Sequence, residues 1–404
     1  MHIIHPTTYT PKPRPKPRRK LWALLPICIV LLGAANYLRP LPAATATVSV
    51  SGLQATGTPN VLWPNNAQAA IGAPGYQVLA TSGTQTPLAT ASIAKVITAM
   101  CVLEKAPLKQ GESGPTYTIT ATDVAIYDNY VAQNGSVIPV TLGEKLTERQ
   151  ALEALMVPSA NNIADSLVRW VFGGQADYRT YATGYASAHG LSQTTIGSDA
   201  SGYDPSTVSS ASDLTKLGLL ALQNPVLMDI ASEKSTALPV VGRVQNYNTI
   251  LGINGITGLK TGNNDADPGA FLFTATLRVG SKDVTATGAV MGAVDLHSAL
   301  QSATQLASSM QQGFEQVTIA DANTKVGMVH TAWGASEPIT TTSMLQLVRW
   351  KDTAFSETHS LQLHLKKGRV GSLQVTAPGT KAKTNLTLRH DVPGPSFWWR
   401  LTRH

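Results

Sequence analysis

TASIAKVITAMCVLE, residues 90–104, holds the chain's one S-x-x-K sequence, Ser92 and Lys95. The segment reads as a helix, and positions three apart on a helix share a face. The Ser92 hydroxyl and the Lys95 amine are then neighbours. A lysine beside a serine can serve as its general base, provided it is held neutral. Ile93, Ala94, Val96, Ile97, Ala99, Met100, Cys101, Val102 and Leu103 leave the helix apolar on nearly every side, the pattern of a helix inside a core. Burial disfavours charge on a lysine. The plainer reading is a lysine whose head snorkels to the surface. Two later segments bear on the choice.

The first is VPSANN, residues 157–162. A capping box, Thr147-Glu148-Arg149-Gln150, announces the helix before it. Leu152, Leu155 and Met156 then recur at helical spacing. Pro158 breaks that helix near Val157. Another helix follows, with Ile163, Leu167, Trp170 and Val171 on one face. Ser159 and Asn161 therefore sit on a tight connection that can present side chains to a cleft. Taken alone, they read more simply as a cap and a turn.

The second is GITGLKTG, residues 255–262, a short strand ending in a turn over residues 263–269. An apolar strand follows from Ala270 to Val279, with Phe271, Phe273, Ala275 and Leu277 alternating. Gly280-Ser281-Lys282-Asp283 reads as a hairpin turn, and Val284 to Met291 as the next strand. This is an antiparallel meander with Lys260 on an early strand. Gly262 lets a ligand backbone lie close. The ordinary alternative is a solvated lysine on a sheet edge.

S-x-x-K, S-x-N and K-T-G in this order are the signature of the serine penicillin-recognising enzymes. Here they begin at Ser92, Ser159 and Lys260. With the flanking text LTERQALEALMVPSANNIAD, YASAHGLSQTTIGSDASGYDPSTVSSASDLTKLG and NYNTILGINGITGLKTG, the chain resembles peptidase family S11, the low-molecular-mass D-alanyl-D-alanine carboxypeptidases. The resemblance covers roughly residues 60 to 400. It implies a serine carboxypeptidase that removes the terminal D-alanine from peptidoglycan stem pentapeptides, with β-lactam antibiotics as inhibitors. Ser92 is then the nucleophile, Lys95 its base, and Ser159 the relay toward the leaving amine. Asn161 holds the substrate backbone and steadies Lys95. Lys260 and Thr261 hold the terminal carboxylate, and Lys260 disfavours charge on Lys95. Gly262 completes the motif, and the backbone N–H groups of Ser92 and Asn263 receive the oxyanion. Two positions depart from the family's text: Asn162 stands where Asp is frequent, and Thr90 where Pro is frequent.

The net charge of +7 is misleading. Residues 1–39 hold seven bases and no acid, so the remainder has 24 bases against 24 acids. That neutral body excludes an electrostatic footprint for nucleic acid. The basic tail, TPKPRPKPRRK, alternates with proline and reads as extended. Residues 21–38 form an apolar run near the minimum length for spanning a bilayer. The bases before it predict residues 1–20 in the cytoplasm and the enzyme outside it. The long tail and the length of the run favour an uncleaved single-pass anchor in the bacterial cell membrane. The rival is a cleaved signal peptide with Ala44-Thr45-Ala46 at the cleavage site. Cys28 and Cys101 lie in separate apolar segments and do not suggest a disulfide. The nine histidines lack metal-ligand spacing and there is no phosphate-cradling glycine loop, so neither metal nor cofactor is implied.

The expected architecture is α/β (α+β) of the β-lactamase/transpeptidase type, an antiparallel sheet flanked by helices over residues 61–318. Residues 39–60, rich in Pro, Ala, Thr and Ser, read as a flexible linker. Residues 319–404 read as a small all-β domain, from LQLVRWK, GSLQVTA and TNLTLRH. The closing PGPSFWWRLTRH suits either a membrane interface or a cover for that domain. Three other functions compete. A DD-endopeptidase would use the same residues. A β-lactamase of class A needs a glutamate for deacylation, and the only one between Asn161 and Lys260 is Glu233, in the wrong context. A wall-binding module has no need of a nucleophile with its base.

Overall fold

The structure, a computed structural model, describes residues 8–11, 19–263 and 268–403. Most of the basic tail and the turn residues 264–267 lie outside the described residues. The helices are α1 (Arg19–Leu38), α2 (Ala94–Lys105), α3 (Ala121–Ala132), α4 (Glu148–Met156), α5 (Asn161–Phe172), α6 (Gln175–Ala188), α7 (Ala211–Ala221), α8 (Pro225–Ala231), α9 (Leu296–Gly313) and α10 (Phe397–Thr402). The strands used below are β1 (Thr45–Val48), β2 (Gln68–Ala73), β3 (Gln77–Ser82), β4 (Ile256–Gly262), β5 (Gly269–Val279) and β6 (Lys282–Ala293). The C-terminal region adds β7 (Phe314–Ala320), β8 (Lys325–His330), β9 (Ser336–Thr341), β10 (Leu345–Trp350), β11 (Ser356–Leu361), β12 (Gly368–Ala377) and β13 (Thr380–Leu388).

The meander read from the sequence is the heart of the first sheet. Its order is β4-β5-β6-β2-β3, with every neighbouring pair antiparallel. Val279 pairs with Lys282 around a two-residue turn, Gly280-Ser281. Alternation along β5 divides the core. Phe271, Phe273, Ala275 and Leu277 face the layer containing α9, where Ala303, Leu306 and Met310 cover them. Ala270 and Leu272 face the opposite layer, with Val96 and Ile97 of α2 and Leu214 and Leu217 of α7. The sheet is thus covered on both faces, which explains why β5 reads as an almost continuous apolar run. α2 is enclosed by helices and sheet, as its all-round apolar surface requires.

From Phe314 onward the chain is β-rich and closes with the short α10. β7 pairs with β10, and a second sheet runs β1-β8-β9-β13-β12-β11. Its first strand corrects the reading of residues 39–60 as a flexible linker. Thr45 to Val48 register against His330 to Gly327. The chain is then tied down by Ser49 N–H donating to the Val326 carbonyl at 2.8 Å and Phe355 N–H donating to the Leu53 carbonyl at 2.7 Å. Ala44, Ala46 and Val48 pack on the β-domain core, so a composition typical of linkers still carries a period-two apolar face.

The apolar run forms α1, but among the described residues no helix is long and apolar enough to cross a membrane. Its C-terminal end is clasped by α10. Arg403 donates to the carbonyls of Asn36, Arg39 and Pro40, and Asn36 Nδ2 donates back to the Leu401 and Arg403 carbonyls at 3.2 and 3.3 Å. A cation at a helix C-terminus also meets the negative end of the helix dipole. The closing aromatics divide. Trp399 packs on Trp333 of the β-domain, while Phe397 and Trp398 stay exposed.

Candidate active site

Ser92 lies in a 3₁₀ turn, Ala91–Ile93, immediately before α2, rather than within the helix itself. Ala91 has φ +44°, an uncommon conformation for a residue with a Cβ. It bends the chain so that Ser92 enters α2 from a packed corner. Gly202 fits against that corner, where a Cβ would stand 2.1 Å from the Ala91 carbonyl oxygen. The three-residue spacing still does what the sequence implied. Lys95 Nζ and Ser92 Oγ are 2.8 Å apart.

Lys95 is fully buried. Its amine has two further neighbours, Asn161 Oδ1 at 2.7 Å and the Ser201 carbonyl at 3.0 Å. Both are acceptors. A neutral amine has two N–H bonds and one lone pair. With its hydrogens given to Asn161 and Ser201, the lone pair is directed at the Ser92 hydroxyl. Burial, and after it the Lys260 charge, hold the Lys95 amine well below its usual pKa, which favours that neutral form.

Ser159 is buried, with φ +61°, on the connection between α4 and α5. The capping box forms as read: Thr147 Oγ1 accepts from Gln150 N–H, and Gln150 Oε1 accepts from Thr147 N–H. α4 then stops at Met156, short of Pro158. The Ser159 hydroxyl has no hydrogen-bond partner among the described residues. A buried hydroxyl in that condition lacks stabilisation of about 1–3 kcal/mol. Asn161 starts α5, its N–H held by the Ser136 carbonyl at 2.7 Å. Asn162 has a purely structural place: its amide makes a two-way pair with the Ile138 backbone at 3.2 and 3.0 Å.

Lys260 is on edge strand β4 yet is 2 % exposed, so it is not a solvated edge lysine. Its amine donates to the Thr261 carbonyl at 3.2 Å and reaches Thr261 Oγ1 at 3.5 Å. Burial brings its pKa down to about 7. At Gly262, the neighbour that needs the missing Cβ is the chain's own Thr90 carbonyl, 2.6 Å from where a Cβ would stand. That glycine lets β4 lie against the Ser92 turn, a different use from the ligand approach read in the sequence.

A cavity of about 510 Å³ opens between these elements. Ser92, Ser159, Asn161, Thr261 and Asn263 line it, with Tyr203, Tyr247 and Leu296 on its walls. Lys95 and Lys260 stand behind that surface. The Ser201 carbonyl escaped the sequence reading, because a backbone acceptor leaves no residue signature. Glu233, the glutamate weighed for hydrolytic water, is paired with Arg149 at 3.2 Å and is not in the cavity.

The sequence model of peptidase family S11, described as D-alanyl-D-alanine carboxypeptidase, matches residues 66–294. Among curated proteins, the D-alanyl-D-alanine carboxypeptidase DacD of Salmonella typhimurium is 28 % identical over 256 residues. That match covers 62 % of this chain and 63 % of the relative, under two thirds of the relative's length. Among solved structures, penicillin binding protein 5 from Haemophilus influenzae aligns with a TM-score of 0.57 at 19 % identity, over 84 % of this chain and 99 % of that one. A peptidoglycan synthesis regulatory factor, PBP3, from Streptococcus pneumoniae aligns at 0.59 and 16 % identity, over 82 % and 99 %. At such identities the structures speak for the fold. The family match spans more than half of the chain and contains the Ser92, Ser159 and Lys260 segments, and the chain belongs to peptidase family S11, the D-alanyl-D-alanine carboxypeptidases.

Proposed function

We propose that this protein is a serine-type D-Ala-D-Ala carboxypeptidase acting on peptidoglycan stem pentapeptides through an acyl-enzyme on Ser92. The observation that carries the reading is the buried Lys95 amine, 2.8 Å from Ser92 Oγ with its other two directions occupied by acceptors. Ser92 Oγ attacks the carbonyl of the penultimate D-alanine and its proton passes to Lys95. The backbone N–H groups of Ser92 and Asn263 are assigned to the oxyanion. Ser159, whose hydroxyl has no partner among the described residues, relays the proton to the departing amine of the terminal D-alanine. Water then hydrolyses the ester by the reverse use of the same groups. Lys260 and Thr261 hold the terminal carboxylate, with Thr261 at the cavity surface and the amine behind it. β-Lactams acylate Ser92 in place of the peptide.

The β-lactamase alternative lacks support, since Glu233 is engaged with Arg149. An endopeptidase acting on cross-links would use the same groups. The test is incubation of a pentapeptide ending in D-Ala-D-Ala with the protein, read by mass spectrometry, beside labelling by a fluorescent penicillin. Loss of one alanine and a penicillin adduct, both absent in Ser92→Ala, are expected. Equal labelling of the two proteins would sink the assignment.

The N-terminal helix is assigned as a retained single-pass anchor in the bacterial cell membrane, with residues 1–20 in the cytoplasm and the catalytic domain outside it. Support comes from the bases that precede it and from the exposure of Leu25, Ile29, Val30, Leu31 and Leu32 along α1. Phe397 and Trp398 of the clasped α10 add exposed aromatic surface nearby. Retention of the segment, against cleavage at Ala44-Thr45-Ala46, is supported by β1, half of which such a cut would remove.

A further inference from the structure

One of the two acceptors that orient Lys95 belongs to a loop, residues 199–204, and something must hold that loop in place. Asp199 closes it locally: its Oδ1 accepts from Ser201 N–H at 2.7 Å and from the Ser201 hydroxyl at 2.6 Å. Asp165 ties it to the helices. Asp165 Oδ1 accepts from Ala200 N–H at 3.1 Å and from Gln175 Nε2, and its Oδ2 accepts from the Tyr130 hydroxyl at 2.8 Å. The Tyr130 ring meets Tyr203, a cavity wall, edge-on at 5.6 Å. Asp165 stands four residues after Asn161 on α5, so the two lie on one face. Both acceptors of the base thus descend from a single helix face, one directly and one through the loop.

We propose that Asp165 is a positioning residue for Lys95: its carboxylate clamps the 199–204 loop between α3 and α5, keeping the Ser201 carbonyl on the Lys95 amine and the lone pair on Ser92. The proposal rests on the acyl-enzyme reading given above. Its electrostatic consequence is separable from its structural one. The titratable groups around Asp165 are Tyr130 from α3, Asp199 from the loop, Lys95 from α2 and Tyr178 from α6. Burial, with Asp199 adding to it against the Tyr130 hydrogen bond, pushes the Asp165 carboxyl up to about 6. Once ionised, Asp165 joins Asp199 in favouring the charged form of Lys95, against burial and Lys260. Removing that charge lets Lys95 shed its proton at lower pH.

The test is the second-order rate of Ser92 acylation by a fluorescent penicillin, measured from pH 5 to 9, with melting curves to confirm folding. Asp165→Ala is expected to acylate about tenfold more slowly at pH 8, the size of effect that follows a small misplacement of a reacting group. Asp165→Asn keeps an oxygen for Ala200 N–H, so it should recover most of that rate. It should also move the acid limb of the profile to lower pH, which a merely structural role leaves in place. Should Asp165→Ala fail to fold, the Asp165→Asn limb decides alone. Superimposable wild-type and Asp165→Asn profiles overturn the proposal. Ser92→Ala, run alongside, separates this failure from that of the acyl-enzyme reading: only the latter shows equal labelling there, and then both fall.

Discussion

Replacing Glu148 by glutamine is expected to stabilise the protein at pH 8 and leave it unchanged at pH 4. Glu148 opens α4 and is fully buried, and neither of its carboxyl oxygens has a hydrogen-bond partner among the described residues. Gly114 lies so close that a Cβ there would stand 2.9 Å from Glu148 Oε2. A helix N-terminus favours a carboxylate by about 0.3–1 kcal/mol, but burial is stronger and raises the pKa from 4.5 to about 7. The native state therefore keeps a proton that the unfolded chain loses above pH 4.5. Stability from this group is complete below 4.5, falls as pH rises, and is lost once pH passes 7. The gap of 7 − 4.5 = 2.5 units, at about 1.36 kcal/mol each, is worth at most ~3 kcal/mol. Glutamine copies the shape and neutrality of the protonated acid, so it recovers that loss only where wild type pays it. Urea unfolding of both proteins at pH 4 and pH 8, followed by tryptophan fluorescence, gives the double difference. Equal stabilities within about 0.5 kcal/mol at pH 8 would refute the reasoning.

Lys260, with its pKa brought down to about 7, is charged in the empty site only below that value. Above pH 7 a free-acid peptide must bring a proton with it, so its KM should rise with pH; Lys260→Ala should abolish both that dependence and the preference for a free acid over an amide. Gly262→Ala places a Cβ 2.6 Å from the Thr90 carbonyl and 3.0 Å from Ile93 Cγ1, forcing the Ser92 turn off β4. Penicillin acylation should fall about 10- to 100-fold, with stability lower by about 1–3 kcal/mol. The full-length protein should stay in membrane pellets at high salt, where charge attraction is screened. Deleting residues 1–38 behind a cleavable export signal should release most of it. A mature chain starting near Thr47, found by N-terminal sequencing, would end the retained-anchor reading.

Much of the site was legible because its features are local. The Ser92 and Lys95 spacing, the Thr147 box, the break at Pro158 and the alternation of Phe271, Phe273 and Ala275 each fit within a few neighbouring residues. What was not legible depends on distant partners. The Ser201 carbonyl meets Lys95 across 106 residues and carries no side-chain mark. Ala91 takes a positive φ without the glycine that usually announces one. Glu148 reads as a solvated first-turn acid, since nothing near it in sequence shows that residues 113–115 cover it. β1 hides in linker composition because its partner is made late in the chain.

That last pairing sets an order in time. Thr45 to Val48 register with His330 to Gly327, between 279 (327 − 48) and 285 (330 − 45) residues downstream. At about 5–20 residues per second of synthesis, β1 waits roughly 15–60 s for its neighbour. During that wait the segment forming the first sheet can close on itself, since its strands and helices lie wholly between Gln68 and Gly313. The strand left waiting is only four residues, TATV, two of them threonine. A short, weakly apolar edge offers little to a neighbouring nascent chain. Among the described residues, β1 is therefore made before its partners yet is one of the last strands to be used, and its modest composition suits the delay.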